Sequence, residues 1–154
     1  MSMNWASRTA ETLRGAKEAE KQNTELFLKH RGMIVAQATS LWNSLCATVR
    51  ERVSELSQIE PYLRMSKTDP GISELIVTSP KGHMVIRLDR VPSIQFEIYR
   101  ARRDTVDEPE TKDNLTFHVS SDQVWLTSTE GLNMSSTQAA EYLLDKLIAL
   151  DQAD

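Results

Sequence analysis

Between residues 73 and 128 the chain reads SELIVTS (73–79), HMVIRLD (83–89), IQFEIYRAR (94–102), NLTFHVS (114–120) and QVWLTS (123–128). Apolar residues recur at every second position, the period of a strand with one face turned to a core. That face carries Leu75 and Val77, Met84, Ile86 and Leu88, Ile94, Phe96 and Ile98, Leu115, Phe117 and Val119, then Val124 and Leu126. The opposite parity carries Glu74, Ile76, Val85, Arg87, Gln95, Glu97, Tyr99, Thr116, His118, Trp125 and Thr127, too polar for a plain core and too aromatic for a plain solvated surface.

The links between these runs are short, so the pattern predicts an antiparallel meander of about five strands. Pro80-Lys81-Gly82 and Ser121-Asp122 read as hairpin connections, and Thr68-Asp69-Pro70-Gly71 reads as a turn. Pro92 lies in the link Arg90 to Ser93 that leads to the run from Ile94 to Arg102, the longest expected strand. The connection Asp104 to Asp113 holds five acids, one lysine and Pro109, the composition of a solvated, mobile loop.

Helices are expected on both sides of the meander. From Asn4 to Glu60 the chain is rich in Ala, Leu, Glu, Lys, Arg and Gln, and proline is absent until Pro61. Ile34, Ala38, Leu41, Trp42, Leu45, Val49, Val53 and Leu56 form one apolar stripe. Further upstream Trp5, Leu13, Phe27 and Leu28 are separated by Ala16, Lys17, Glu20, Lys21 and Thr24. The stripe keeps its phase from Phe27 through Arg31 to Ile34, so the region reads either as one long bent helix or as two helices joined at Arg31-Gly32, the preferred reading being two segments with a break or kink near Gly32. Helices that thin in apolar residues need packing to be stable in water. The segment from Trp5 to Leu28 therefore packs on its own domain, pairs with a second copy, or orders on a partner. Near the C-terminus, Ser135 and Gln138 have the form of a capping box, and Ala140, Leu143, Leu144, Leu147 and Ile148 make a helical stripe expected to lie on the apolar sheet face.

The expected fold is thus α+β: an N-terminal helical region, an antiparallel meander and a C-terminal helix packed on the sheet. Residues 1–32 are expected to form a helical arm and residues 33–154 a single α+β domain. A chain of 154 residues with 40% apolar and 26% charged side chains can bury a core without metals or disulfides. One cysteine, Cys46, precludes an internal disulfide framework and suits a reducing, cytoplasmic setting. No signal-peptide pattern or membrane-length apolar run occurs, so no membrane role is expected. The net charge of −4 is uneven: residues 1–60 have 8 basic and 7 acidic side chains, residues 61–103 have 8 and 4, and residues 104–154 have 2 and 11. Compensation within a compact fold accounts for such a split.

Chemistry-bearing patterns are sparse. The five glycines are scattered and none opens a helix after a strand at phosphate-loop spacing. His30, His83 and His118 lack neighbours at ligand spacing, so neither a metal nor another cofactor is expected. Cys46, beside Trp42, Leu45 and Val49, reads as a buried, inert thiol. Asp107, Glu108 and Glu110 sit in the expected loop, too exposed to acquire the separated pKa values of acid and base roles. Arg100, Arg102 and Arg103, with Arg87, Arg90 and Lys81, make the one basic cluster, but an acidic chain with no recognised RNA-binding motif argues against nucleic acid.

No catalytic residues are assigned. The candidate ligand- or partner-binding residues are Arg87, Glu97, Tyr99, His118 and Trp125 on the mixed sheet face, for which the helix Ile34 to Leu56 is the expected cover. The leading functional expectation is a non-enzymatic protein-interaction or adaptor module, a homodimer that self-associates through its N-terminal helix or binds another protein. The alternative is a small-ligand-binding protein or enzyme with a pocket on that sheet face.

Overall fold

A computed structural model describes residues 4–66, 73–90, 92–100 and 108–153. The element order is helix α1 (Trp5–Ile59), strands β1 (Arg64–Met65), β2 (Glu74–Ser79), β3 (Gly82–Leu88), β4 (Ser93–Arg100), β5 (Thr111–Ser120), β6 (Gln123–Thr127) and β7 (Asn133–Met134), then helix α2 (Ser136–Gln152). Its compact units are Met1–Met33 and Ile34–Asp154.

The fold is α+β, with one antiparallel sheet in the order β1-β2-β3-β4-β5-β6-β7. Seven strands replace the expected five because β1 and β7 are two-residue edge pairings, on Thr78 and Val77 and on Leu126 and Thr127. Runs that short have no alternation to read. The longest strand is β5 rather than β4, since Thr111, Lys112 and Asp113 pair with Ile98, Glu97 and Phe96 instead of lying in a loop. Backbone pairing and the approach of Lys112 Nζ to Glu97 Oε1 (3.9 Å) offset the poor strand propensity of this charged segment. The expected turn Thr68–Gly71, most of the acidic connection (Asp104 to Asp107), and Arg102 and Arg103 lie outside the described residues.

The two hairpin turns are made differently. Ser121 and Asp122 both take left-handed conformations, φ 52° and 56°, as a two-residue turn matched to strand twist requires. Between β2 and β3 the pair Ser79–Gly82 closes around Pro80 and Lys81. Gly82 is needed there by space, because a Cβ would lie 2.0 Å from the Tyr99 carbonyl oxygen.

Helix α1 passes through Gly32 without the expected break. A single glycine costs roughly 1 kcal/mol in a helix interior, too little to interrupt a run whose other residues favour helix. Its buried residues are Ala38, Trp42, Leu45, Cys46, Val49 and Val53, the stripe anticipated from spacing. Helix α2 begins at the capping box: Ser135 Oγ accepts from the Gln138 N–H (3.2 Å), and Gln138 Oε1 accepts from the Ser135 N–H (2.9 Å). It buries Ala139, Ala140, Leu143, Leu144 and Leu147.

Both helices serve the apolar side of the sheet. Ser79, of the same parity as Leu75 and Val77, donates to Asp151 Oδ1 of α2 at 2.7 Å. The later part of α1 is tied in turn to α2, through Ser136 Oγ donating to the Leu41 carbonyl (3.4 Å) and Arg52 Nε to Glu141 Oε1 (3.1 Å). The expectation that Ile34 to Leu56 covers the second face is therefore overturned. Leu75, Val77, Met84, Ile86, Ile94, Phe96, Ile98, Leu115 and Leu126 are essentially solvent-free with both helices in place.

Candidate functional site

Without a helix over it, the second sheet face is half-buried at its centre and open at its margins. Val85, between Ile76 on β2 and Glu97 on β4, is buried, whereas Arg87, Lys112, Thr116 and His118 are exposed. The five candidate residues divide into two groups.

Arg87, Glu97 and Tyr99 come together. Adjacent strands place Glu74 opposite Arg87, Val85 opposite Glu97, His83 opposite Tyr99 and Glu97 opposite Lys112. Arg87 Nε donates to Glu74 Oε2 at 2.8 Å, and Arg87 Nη1 lies 3.9 Å from Glu97 Oε1. The Tyr99 hydroxyl donates to Glu97 Oε2, and its ring stacks on His83 with centroids 4.8 Å apart and planes 11° from parallel. The bond to Glu74, then the fields of Glu74 and Glu97, push the Arg87 guanidinium above its ordinary pKa despite some desolvation. Glu97, whose side chain is only 12% exposed, is thus engaged by Tyr99 and approached by two cations. This is a cross-strand charge ladder, in which oppositely charged neighbours stabilise the pairing of strands.

His118 and Trp125 form the other group. They face each other across β5 and β6, and Trp125 Nε1 donates to the Ser120 carbonyl at 3.2 Å. The last β4–β5 pair on this side is Ser93 with Thr116, so His118 lies beyond β4. Tyr99 lies at the opposite end of β4, next to Ile98, whose partner Thr111 is seven residues from His118. That separation is more than about 20 Å along a strand. The sheet therefore does not gather the five side chains around one ligand-sized site.

Other sequence-level candidates resolve individually. Cys46 is buried, and desolvation, only partly opposed by Arg50, pushes its thiol up to about 11. Among the described residues no group of three His, Cys, Asp or Glu side chains is placed to hold a metal ion, and no helix is long and apolar enough to cross a membrane. Arg100 of the basic cluster donates to the Ala153 carbonyl.

A polar centre not anticipated from the sequence surrounds Asp151. This buried carboxylate accepts from Ser79 Oγ (2.7 Å), the Lys81 N–H (2.9 Å) and the Tyr62 hydroxyl, which itself accepts from Gln152 Nε2 (2.7 Å). Burial pushes the Asp151 carboxyl up, but these donated bonds outweigh it and hold the group below the ordinary aspartate range. It pins the end of α2 to the β2–β3 turn and to the segment after α1. Its one sequence signal is an aspartate four residues beyond Leu147, in phase with the apolar stripe.

Exposed large apolar side chains cluster in the first half of α1. No described residue before Ala38 is buried. Trp5, Leu13, Leu26, Phe27 and Leu28 are all at least half exposed, Trp5 at 73% and Phe27 at 64%. Comparison of the chain with protein-family models, with curated proteins and with solved structures finds no significant match.

Proposed function

We propose that this protein is a non-enzymatic interaction module that self-associates through the first half of α1. The observation that carries this reading is the exposure of Trp5, Leu13, Leu26, Phe27 and Leu28 along a helix with no buried residue before Ala38. Helices in water are held chiefly by packing of an apolar face, and burying each large apolar side chain contributes about 1.5–3 kcal/mol. A second copy of the chain supplies that packing without any other component. The ladder of Arg87, Glu74, Glu97 and Tyr99 is already bonded within the sheet and supports no pocket reading.

Sedimentation equilibrium of the full chain over a concentration series tests the proposal. The mass is expected to rise from 17.5 kDa towards twice that value. Leu13→Asp with Phe27→Asp is expected to hold the chain at monomer mass without changing the urea midpoint of residues 34–154. A monomer at every concentration overturns it.

A further inference from the structure

The first half of α1 also indicates how two copies meet. Steps of three and four residues along one face pick out Ala6, Ala10, Leu13, Lys17, Glu20, Thr24, Phe27 and Arg31. None of these residues is buried. The row has the spacing of a coiled-coil seam but is apolar only at Ala6, Ala10, Leu13 and Phe27, and its centre is the oppositely charged pair Lys17 and Glu20.

Resting on the self-association just proposed, we infer that two copies pair antiparallel along this row, about a two-fold axis between Lys17 and Glu20. In that register Lys17 meets the partner's Glu20 and Glu20 the partner's Lys17. The remaining contacts set large against small: Phe27 on Ala10, Leu13 on Thr24, and the Arg31 stem on Ala6. A parallel, in-register pair would instead align Lys17 with Lys17, Glu20 with Glu20 and Arg31 with Arg31 in the seam, and like charges at close range select against that arrangement. Antiparallel registers one heptad away lose the match, since Lys17 then faces Leu13 or Phe27. The chosen register does bring Arg14 towards the partner's Lys21, but both sit at the solvated margin, where charges are screened. The charge pattern thus selects a second copy as the occupant and fixes its orientation, as polar residues at seam positions do in coiled coils at some cost in stability. Ala6 to Arg31 is about 39 Å of helix, enough for the pairing to be specific.

The test uses the full chain, whose buried Cys46 leaves the wild type unlinked under mild oxidation. Leu13→Cys and Thr24→Cys chains, one of them affinity-tagged, are oxidised separately and as an equimolar mixture. Disulfide-linked dimer is expected in the mixture at least tenfold faster than in either chain alone, because across the axis residue 13 meets residue 24 and neither meets itself. In parallel, Lys17→Glu is expected to raise the dimer dissociation constant at least tenfold, and adding Glu20→Lys in the same chain to restore it to within about threefold. Self-linking of each variant alone, or a Lys17→Glu chain that dimerises as well as the wild type, overturns the antiparallel register while leaving self-association standing. A dimer with no link in any arm places the interface elsewhere and overturns this inference alone. A wild-type chain monomeric at all concentrations overturns both.

Discussion

Asp151→Asn replaces the one buried carboxylate that joins three parts of the larger unit. All three of its partners, the Ser79 hydroxyl, the Lys81 N–H and the Tyr62 hydroxyl, donate to it. Asparagine keeps the shape, and its Oδ1 can still accept from Ser79 and Lys81, but its NH2 group faces the Tyr62 hydroxyl, which then gives up donating and has to accept beside Gln152. A hydrogen bond to a charged group contributes about 1.5–3 kcal/mol net, and a buried donor left unpaired costs about 1–3 kcal/mol. Losing the charge and the bond donated by Tyr62 is therefore expected to lower the unfolding free energy by about 1.5–3 kcal/mol. Asp151→Ala, which removes the acceptor of the Lys81 N–H and the Tyr62 hydroxyl and leaves Ser79 its bond to the Gly82 carbonyl (3.1 Å), is expected to cost about 3–5 kcal/mol. Urea unfolding at pH 7, followed by the fluorescence of buried Trp42, measures both.

The same variant fixes a pH signature. Because the folded-state pKa of Asp151 is held below its unfolded value, the unfolded chain takes up the proton first as pH falls. The contribution of the carboxylate is complete well above the unfolded value of about 3.9, and it disappears as pH drops through that value and then through the folded one. The stability gap between wild type and Asp151→Asn is expected to be constant from pH 6 to 8 and to shrink below about pH 4. A gap under about 1 kcal/mol at pH 7, or one that stays constant down to pH 3, would refute the account of this centre as a charge-dependent clamp.

The remaining expectations concern single positions. Gly82→Ala drives a Cβ to 2.0 Å from the Tyr99 carbonyl oxygen and is expected to cost more than about 2 kcal/mol in urea unfolding. Gly32→Ala, with nothing within 4 Å of the added carbon, is expected instead to increase helix content by circular dichroism, since alanine is favoured by about 1 kcal/mol. Cys46, its thiol pushed up to about 11, is expected to react with a disulfide reagent at pH 8 at least about a hundredfold more slowly than an unperturbed thiol of pKa near 8.5, and to become reactive on unfolding. Ser135→Ala removes the side-chain half of the capping box and is expected to lower the unfolding free energy by about 1 kcal/mol, with Ser135→Gly losing less.

The sheet was legible wherever alternation ran for five residues or more, as in Leu75 to Val77 with their neighbours or Ile94 to Ile98, because period two is imposed directly by the pleat. It was not legible at Arg64–Met65 and Asn133–Met134, which hold too few residues to show a period, nor at Thr111–Asp113, where pairing to β4 outweighs a charged composition. The stripe from Ala38 to Val53 was equally readable as a buried helical face, yet a stripe does not say which side of a sheet it covers. That was settled by Ser136 reaching the Leu41 carbonyl, Arg52 reaching Glu141 and Asp151 receiving Ser79, contacts between residues roughly seventy to ninety-five positions apart. The same limit applies to the candidate site. Parity put Arg87, Glu97, Tyr99, His118 and Trp125 on one face, but their positions along that face depend on strand register, which left Tyr99 and His118 at opposite ends.

The uneven apolar content of α1 has one physical interpretation that joins both of its halves. Beyond Ala38 the stripe is buried in the core of the larger unit, so apolar groups alone serve it. Before Arg31 the same stripe holds Lys17, Glu20 and Thr24 among Leu13 and Phe27. A seam made wholly of leucine would bind more tightly but would admit parallel, antiparallel and shifted registers alike, and would leave a large apolar patch exposed whenever the copies part. In the proposed seam, charges at the centre would lower the affinity and leave one arrangement in which both are compensated. On the proposed pairing, the lack of large apolar groups on this face between Leu13 and Phe27, which makes it too weak to pack alone, is what would let two copies recognise each other and separate again.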